Sequence, residues 1–487
     1  MPLREMSRDQ AWLLPPTLDE LVPPDHPARF VAEFVDALNR DDWTELGVQP
    51  DGEPLGAPAY HPRALLSVWL YGFMTGVRSC RKLEAAYRDQ IPYLWLTGWQ
   101  YPDHNTLWRF YKKHRQSMRR LFRRTVRTAV AMELVVLAVP AVDGTKVIAN
   151  AALIQTYDAK RLQELIERVE SAIESLEAQN EGGEDGVVAR LPEKLAEQKE
   201  LRRRVRQAMN DLPGMERPNR YKRPARINLT DKDARLMRTR QGIVRSYNAQ
   251  AMVSPVATDE GVTGMLVTAS DVVDEPNDTA QLTQMVEQAE EMTGAKVPLT
   301  LADAGYFAGR HVAELHRRGQ QVVMPDMARP TDHPYHKHQF AYDDDTDSYI
   351  CPHGQNLRFS GMKIDKTKKA RTYRVASGTI CQGCPAFGVC TKNGRYGRTI
   401  EIGQNDTALR RHRDWMKTEE AKQAYLRRLP LIEPLFAILR NQLGARQFAL
   451  RGLPNVKAEW SMFATAYNLR TLWRVWRTRL DTRVNAI

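Results

Sequence analysis

The sequence predicts a multidomain α/β protein, and three observations lead to this prediction. Apolar side chains recur at helical spacing over residues 1–130, short apolar runs alternate with helical segments in the middle of the chain, and residues 404–487 are again helical. A length of 487 residues is enough for about two to four domains. With 42% hydrophobic residues, the chain can bury several cores, which excludes a disordered protein.

The net charge of the protein indicates which class of molecule it binds. Lysine and arginine outnumber aspartate and glutamate by 71 to 59, which gives a net charge of +12. Such a balance favours a polyanion, with nucleic acid the first candidate, although solvated basic faces are also common. The longest apolar stretch, residues 64–77, is shorter than the roughly 20 residues of a membrane-spanning helix. The N-terminus lacks a signal-peptide pattern, so we expect an intracellular protein with no membrane partner.

Residues 1–130 are predicted to form a helical, nucleic-acid-binding domain. Pro62 begins a dense apolar helix, and another helix begins at Asn105 after a turn at Pro102 and Asp103. This second helix is basic, so the pattern fits a helix-turn-helix, and it also fits a helical bundle with a solvated basic face. The side chains expected to contact phosphates or bases are Asn105, Arg109, Lys112, Lys113, Arg119, Arg120 and Arg123.

Residues 131–156 and 214–332 are predicted to form an α/β core. The apolar run 135–139 is typical of a strand covered on both faces, and Asp143 follows it before Gly144. A second apolar run ends at Leu301, just before Asp303. Two converging carboxylates usually imply a bound cation, and oxygen ligands favour Mg²⁺ or Mn²⁺. An Asp before a glycine is also ordinary turn chemistry, which leaves both interpretations open.

Two insertions interrupt this core. Residues 157–213 keep a helical apolar stripe broken by Gly182 and Gly183, which predicts a helical hairpin that serves as a structural or dimerising arm. Residues 333–403 are polar and short-stranded, and they hold four of the five cysteines.

The cysteine cluster is a candidate zinc site. It contains one C-x2-C pair and a Cys-Pro-His-Gly turn, an arrangement in which four thiolates can hold a structural Zn²⁺ and in which His353 can replace one of them. The alternative is four reduced thiols without metal in a small β insertion. The four candidate ligands are Cys351, Cys381, Cys384 and Cys390.

Residues 404–487 are expected to supply the C-terminal helices of the core. Glu433 and Arg440 are seven residues apart and therefore share one helix face. Pro434 suits the first turn of a helix, which would place Glu433 near the positive end of the helix dipole. Tyr425 and Arg428 precede them, and Arg428 and Arg440 can neutralise phosphates. An ordinary charged surface helix is the alternative.

Taken in order, these runs resemble the DDE transposases of bacterial insertion sequences. Those enzymes have an RNase H-like core and a Tyr-Arg-Glu-Lys signature around the third acid. The resemblance spans nearly the whole chain, and its strength lies in the order of the motifs. They are His61–Pro62, Pro102–Thr106, Val142–Lys146, Arg245–Gln250, Ala302–Tyr306, the series Tyr425, Arg428, Glu433 and Arg440, then Arg451–Leu453 and Glu459–Trp460.

The resemblance implies that Asp143, Asp303 and Glu433 are catalytic acids that bind two Mg²⁺ or Mn²⁺ ions. Here Arg440 stands where the signature has Lys, and one more residue than usual separates Arg428 from Glu433. Glu419 and Glu420 are the alternative third acids if that register is wrong.

The implied activity is cleavage of double-stranded DNA at the element ends, followed by transfer of the 3′-hydroxyl into target DNA. A homodimer on DNA and a location in the bacterial cytoplasm, with the nucleoid, are implied as well. Two alternatives remain at this stage. One is a DNA-binding regulator derived from a transposase that does not cut, and the other is a nuclease without strand transfer.

Overall fold

The computed structural model describes residues 16–49, 59–181, 191–215, 224–239, 241–259, 261–326, 333–365 and 368–484. The chain is a mixed α/β protein that divides into two compact units. The first unit comprises residues 1–278, 285–296 and 429–487, and the second comprises residues 279–284 and 297–428.

The helices of the described residues are α1 (Pro27–Asp36), α2 (Arg40–Glu45), α3 (Pro62–Thr75), α4 (Cys80–Asp89), α5 (Ile91–Leu96), α6 (His104–His114), α7 (Arg119–Ala131), α8 (Ala159–Glu181), α9 (Leu191–Asp211), α10 (Leu282–Thr293), α11 (Gly309–Arg317), α12 (Gly378–Gln382), α13 (Asp406–Lys417), α14 (Glu419–Leu426), α15 (Arg428–Asn441) and α16 (Leu453–Val484). None of these helices is long and apolar enough to cross a membrane.

The strands of the same residues are β1 (Ala141–Ile148), β2 (Thr156–Tyr157), β3 (Ile227–Asn228), β4 (Arg235–Thr239), β5 (Gly242–Thr258), β6 (Gly261–Val273), β7 (Leu299–Leu301), β8 (Gln321–Val323), β9 (Ala341–Asp343), β10 (Ser348–Ile350), β11 (Asn356–Asp365), β12 (Lys368–Val375) and β13 (Thr399–Gly403).

The N-terminal helices of the first unit are built from local signals visible in the sequence. Pro62 occupies the first turn of α3, where a missing N–H is harmless, and His61 caps the helix by accepting from the Arg63 N–H. Gly76 ends α3 with φ of +80°, and a Cβ there would lie 2.6 Å from the Gln442 carbonyl oxygen. Only glycine fits this position, so the end of α3 is determined both by its backbone conformation and by its neighbour.

The long helix α16 is the core of the first unit. It packs against α3, α7 and β6 and is buried from Val456 to Leu469 apart from Lys457. Asn468 donates to the Val267 carbonyl and accepts from the Val267 N–H, which ties α16 to β6. Buried Glu459 accepts from Arg78 at 2.7 Å, and burial raises the pKa of its carboxyl. The aromatic residues of this helix are therefore core residues over most of its length.

The sheet of the first unit is antiparallel. β5 pairs with β4, β1 and β6, and the β1 register sets Asp143 opposite Ala251. The predicted strand at residues 135–139 is wrong in its position, because Val135 makes only one isolated bridge and regular pairing begins after Pro140. Asp143 consequently lies inside β1, as its third residue.

Helices α8 and α9 form the predicted hairpin. Its base is a cluster of buried residues that includes Leu162, Val205 and Ile227, and ion pairs join the two helices, such as Arg206 to Glu170 at 2.6 Å. The predicted break at residues 182 and 183 lies outside the described residues.

The second unit contains a parallel pair and a separate antiparallel sheet. Strands β7 and β8 are parallel and are connected through α11. The antiparallel sheet has the order β13-β12-β11-β10-β9 around a core that includes Phe340, Tyr349 and Tyr373. The Tyr373 hydroxyl donates to Asp347 at 2.8 Å, so the tip of this sheet is held by a polar contact.

Candidate functional site

Asp143 lies half-buried on β1 with its side chain on the same face of the strand as Thr145. The Gly144 N–H donates to Asp143 Oδ1 at 2.8 Å, which orients the carboxylate. Residues two apart on a strand are separated by about 6.6 Å, so Asp143 and Thr145 are immediate neighbours on that face.

Helix α15 is placed against this face of β1. The Arg440 guanidinium donates to Thr145 Oγ1, and Glu433 lies two turns earlier on the same side of the helix, about 10 Å along its axis. Glu433 is exposed, as a ligand-binding carboxylate requires. The first unit therefore brings the strand of Asp143 and the helix of Glu433 together.

The predicted helix start at Pro434 is wrong. Helix α15 begins at Arg428 and has Pro430 in its first turn, while Pro434 lies inside the helix. A proline there leaves the Pro430 carbonyl without its helical donor. Glu433 is therefore in the middle of the helix, too far from its N-terminus to gain from the dipole.

A polar network occupies the opposite face of β1. Asp278 Oδ1 accepts from Asn248 and Gln250, each at 2.7 Å, and Lys146 Nζ lies 3.4 Å away. A Cβ on Gly144 would be 2.5 Å from Asp278 Oδ1. The backbone next to Asp143 is therefore packed directly against this network. Sequence reasoning missed Asp278, although the Asn248 and Gln250 motif could have pointed to it.

The second unit places Asp303 just after β7, as predicted. Its side chain accepts from the Gly305 N–H at 2.9 Å and is 38% exposed. Buried Arg428 lies 3.9 Å from Asp303 Oδ2, so its guanidinium faces this carboxylate. Arg428 thus offsets the charge of an acid, which differs from the phosphate contact expected for it.

The remaining acids and the tyrosine of the signature lie on α14. Tyr425 is half-buried near its end, and Glu419 and Glu420 are exposed in its first turn. Glu419 accepts from Gln423 on the same helix at 2.8 Å. Both acids therefore lie at the exposed start of α14.

The basic residues of α6 are solvent-facing. Asp103 caps this helix by accepting from the Thr106 N–H at 2.7 Å, and hydrogen bonding to the Thr106 side chain and then to its N–H lowers the pKa of Asp103. Seven residues separate α5 from α6, whereas the compact helix-turn-helix has a turn of three or four. The exposed side chains of α6 that were predicted to contact DNA are Asn105, Arg109, Lys112 and Lys113.

Two of the α7 arginines that were predicted to contact DNA lie close to acidic side chains. Arg120 lies 3.7 Å from Glu45, and Arg123 lies 3.1 Å from Glu291. Arg119 is exposed. These ion pairs leave less positive charge on α7 than the sequence alone indicates.

The four thiols of the second unit line one pocket. Backbone N–H groups of Gln355 and Arg398 donate to the sulfurs of Cys351 and Cys381, each at 3.3 Å. Burial raises the pKa of the Cys390 thiol, and the other three cysteines add to this effect. Cys384 also lines the pocket, whereas Cys80 lies at the start of α4 in the first unit.

The described residues contain no group of three or more His, Cys, Asp or Glu side chains arranged to hold a metal ion. The carboxylates Asp143, Asp303 and Glu433 have the oxygen donors that Mg²⁺ prefers, and none of them is fully buried.

Two protein-family models match the chain. A transposase domain (DUF772) matches residues 16–113, and a transposase DDE domain matches residues 350–473. Both matches support a DDE transposase of an insertion element. No curated protein and no solved structure matches it.

The two matches cover different groups of the predicted site residues. Residues 350–473 include the four cysteines of the thiol pocket, Tyr425, Arg428, Glu433 and Arg440. Residues 16–113 include the exposed face of α6. Asp143 and Asp303 lie outside both ranges, so their assignment depends on their motifs and on the strands that carry them.

Proposed function

We propose that this transposase cleaves DNA at the ends of its insertion sequence and transfers the freed 3′-hydroxyl into target DNA in a metal-dependent reaction. The observation that best supports the proposal is the bond from Arg440 to Thr145, which sets the helix of Glu433 against the strand of Asp143. The match of a transposase DDE domain to residues 350–473 supports the same assignment.

The order of the elements supports an RNase H-like catalytic core. Three antiparallel strands, β1, β5 and β6, are followed along the chain by α10, β7, α11 and β8, and β7 and β8 are parallel. In this proposal, residues 157–213 and 333–403 are insertions into the core, and α15 is its last helix.

Asp143, Asp303 and Glu433 would hold two Mg²⁺ or Mn²⁺ ions. When bound, such ions activate water or a hydroxyl and stabilise the leaving oxygen of an in-line displacement. The protein's own contribution is positional: the Gly144 N–H orients Asp143, and Arg428 offsets the charge of Asp303. Arg440, which donates to Thr145, would neutralise a phosphate beside Asp143.

The test is a cleavage and strand-transfer assay with Mg²⁺ on the DNA that flanks the gene. We expect wild type to cut and join this DNA and Glu433→Gln to lose both activities. Glu419→Gln is the matched control, because it removes an exposed acid from the neighbouring helix. Cutting that survives in Glu433→Gln contradicts the assignment of the third acid. Binding without cutting by wild type favours the regulator, and nicks without joined products favour the nuclease.

We propose a structural role for the thiol pocket, in which the four cysteines close around Zn²⁺ and stabilise the small sheet. The two N–H···S bonds to Cys351 and Cys381 support this role, since they are compatible with thiolate ligands. Purified protein should contain one zinc per chain, and Cys384→Ser should lose it while Cys80→Ser keeps it. Equal zinc content in the two variants would contradict the proposal.

We propose that the protein acts as a homodimer on double-stranded DNA in the bacterial cytoplasm, at the nucleoid. The exposed face of α6 would read the element end, and Arg119 with its α7 neighbours would contact the backbone. Asn105→Ala and Arg109→Ala should therefore weaken end binding and reduce its sequence preference. If both variants bind like wild type, α6 is not the recognition helix.

A further inference from the structure

A basic groove lies in the first unit along the part of β1 that follows Asp143. Its empty volume is about 1340 Å³, part of which is open solvent. Three segments line it: β1 from Gly144 to Ile148, the residues Arg238, Thr239 and Gln241 at the end of β4 and before β5, and the end of α15 with the loop to residue 446. All three belong to one compact unit, so the groove is a feature of that unit alone.

The charged residues that line the groove are all basic. Its lining contains Lys146, Arg238, Arg440 and Arg446, and none of the other lining residues is acidic. Arg238 and Arg446 are exposed, and Arg446 donates to Asn441 Oδ1 at 2.7 Å. Asp278 lies 3.4 Å from Lys146 and offsets part of this charge. The groove therefore has the charge of a polyanion site.

The loop that carries Arg446 is held against β1. The Ile148 N–H donates to the Arg446 carbonyl at 3.2 Å, and the Phe448 N–H donates to the Ile148 carbonyl at 2.9 Å. Ala445 is buried. The backbone at Arg446 is therefore fixed to β1 by hydrogen bonds, unlike that of a loop whose backbone contacts only solvent.

The shape favours an extended ligand. Sites for small molecules enclose most of their ligand's surface. This groove is open to solvent, and its four cations are distributed over three chain segments. A phosphodiester backbone, which carries one charge per about 3.4 Å of each strand, matches such a row of cations.

We propose that the basic groove binds the DNA backbone next to the phosphate that reacts at Asp143, with Arg238 and Arg446 as phosphate contacts. Thr145 lines the groove and is about 6.6 Å from Asp143 along β1, so a strand in the groove passes within one or two phosphates of that carboxylate. This assignment rests on the proposed function. The strand comes either from the element end or from the target.

The test measures equilibrium binding of labelled duplexes without added divalent metal, between 50 and 200 mM salt. One duplex carries the DNA that flanks the gene, and the other is an unrelated sequence. Arg238→Gln with Arg446→Gln is compared with Arg161→Gln and Arg168→Gln, which remove two exposed arginines from α8.

We expect the groove variant to lower the slope of log affinity against log salt by about 2 and to lose about tenfold more affinity at 50 mM than at 200 mM. Loss with the flanking duplex alone identifies the element end as the ligand, and loss with both duplexes identifies the backbone of any DNA, including the target. An unchanged slope, or an equal loss in the α8 control, overturns the proposal. A wild type that binds through the groove but never cuts would contradict the proposed chemistry and leave the groove intact.

Discussion

Replacing Gly144 by alanine tests how tightly the candidate site is packed. The new Cβ would lie 2.4 Å from Gln250 Nε2 and 2.5 Å from Asp278 Oδ1, about 1 Å closer than ordinary contact. Those two atoms are hydrogen-bonded to each other at 2.7 Å, and Asn248 donates to the same carboxylate oxygen. The side chains cannot withdraw without breaking bonds to a charged group, each of which contributes about 1.5 to 3 kcal/mol.

The expected cost is therefore about 2 to 4 kcal/mol of the unfolding free energy of the first unit, since overpacking alone costs about 1 to 3 kcal/mol. Hydrogen exchange of peptides from β1, together with urea unfolding, measures this loss. Gly264→Ala is the matched control, because a Cβ on this glycine of β6 would meet its nearest neighbour, Thr471, at 3.5 Å. Adding Gln250→Ala should return part of the stability by making room.

Two results would refute this reasoning. The first is a Gly144→Ala protein as stable as Gly264→Ala. The second is a double variant with Gln250→Ala whose loss equals the sum of the single losses, since residues in contact should show coupling.

The remaining predictions concern α16, pH and the hairpin. Asn468→Ala should destabilise the first unit by about 2 to 4 kcal/mol, because it leaves the buried N–H and carbonyl of Val267 without these partners. Asn455→Ala, at a half-buried position of the same helix, should cost less in the same urea titration. Burial lowers the pKa of His412, so as the pH falls below about 6.5 the unfolded chain takes up a proton before the folded chain does. The unfolding free energy of the second unit should therefore fall by up to about 1.4 kcal/mol per pH unit below that value. A His412→Gln protein whose melting temperature has the same pH dependence as wild type would contradict this. Shortening the hairpin by removing residues 174–198 should convert dimers to monomers in sedimentation experiments, and an unchanged mass would end the idea of a dimerising arm.

Local signals in the sequence predict several elements well. Pro62 and Asp103 mark helix starts because proline suits the first turn and aspartate accepts from a free N–H, and both helices are found there. Asp303 follows its strand as expected because the strand is short, apolar and ends at a turn.

Other features depend on contacts that sequence spacing does not reveal. The run 135–139 has the composition of a buried strand, but it makes only one bridge to β5, at Val135, and regular pairing begins after Pro140, which has no N–H to donate. Proline is common in the first turn of a helix, but in α15 the proline of the first turn is Pro430, and Pro434 lies inside the helix. The basic groove combines Arg238 with Arg446, more than two hundred residues apart, because the β4–β5 turn and the loop after α15 meet beside β1.

The place of α16 in the first unit has a consequence for the order of synthesis. Helices α3 and α7 bury apolar surface against a segment that begins about 320 residues after α7 ends. At about 5 to 20 residues per second, the ribosome needs roughly 15 to 65 s to supply that segment. The N-terminal helices of a nascent chain must wait for this time with their apolar surface uncovered. Transcripts truncated before residue 453 would accordingly yield chains recognised by chaperones and proteases rather than short, folded DNA-binding proteins.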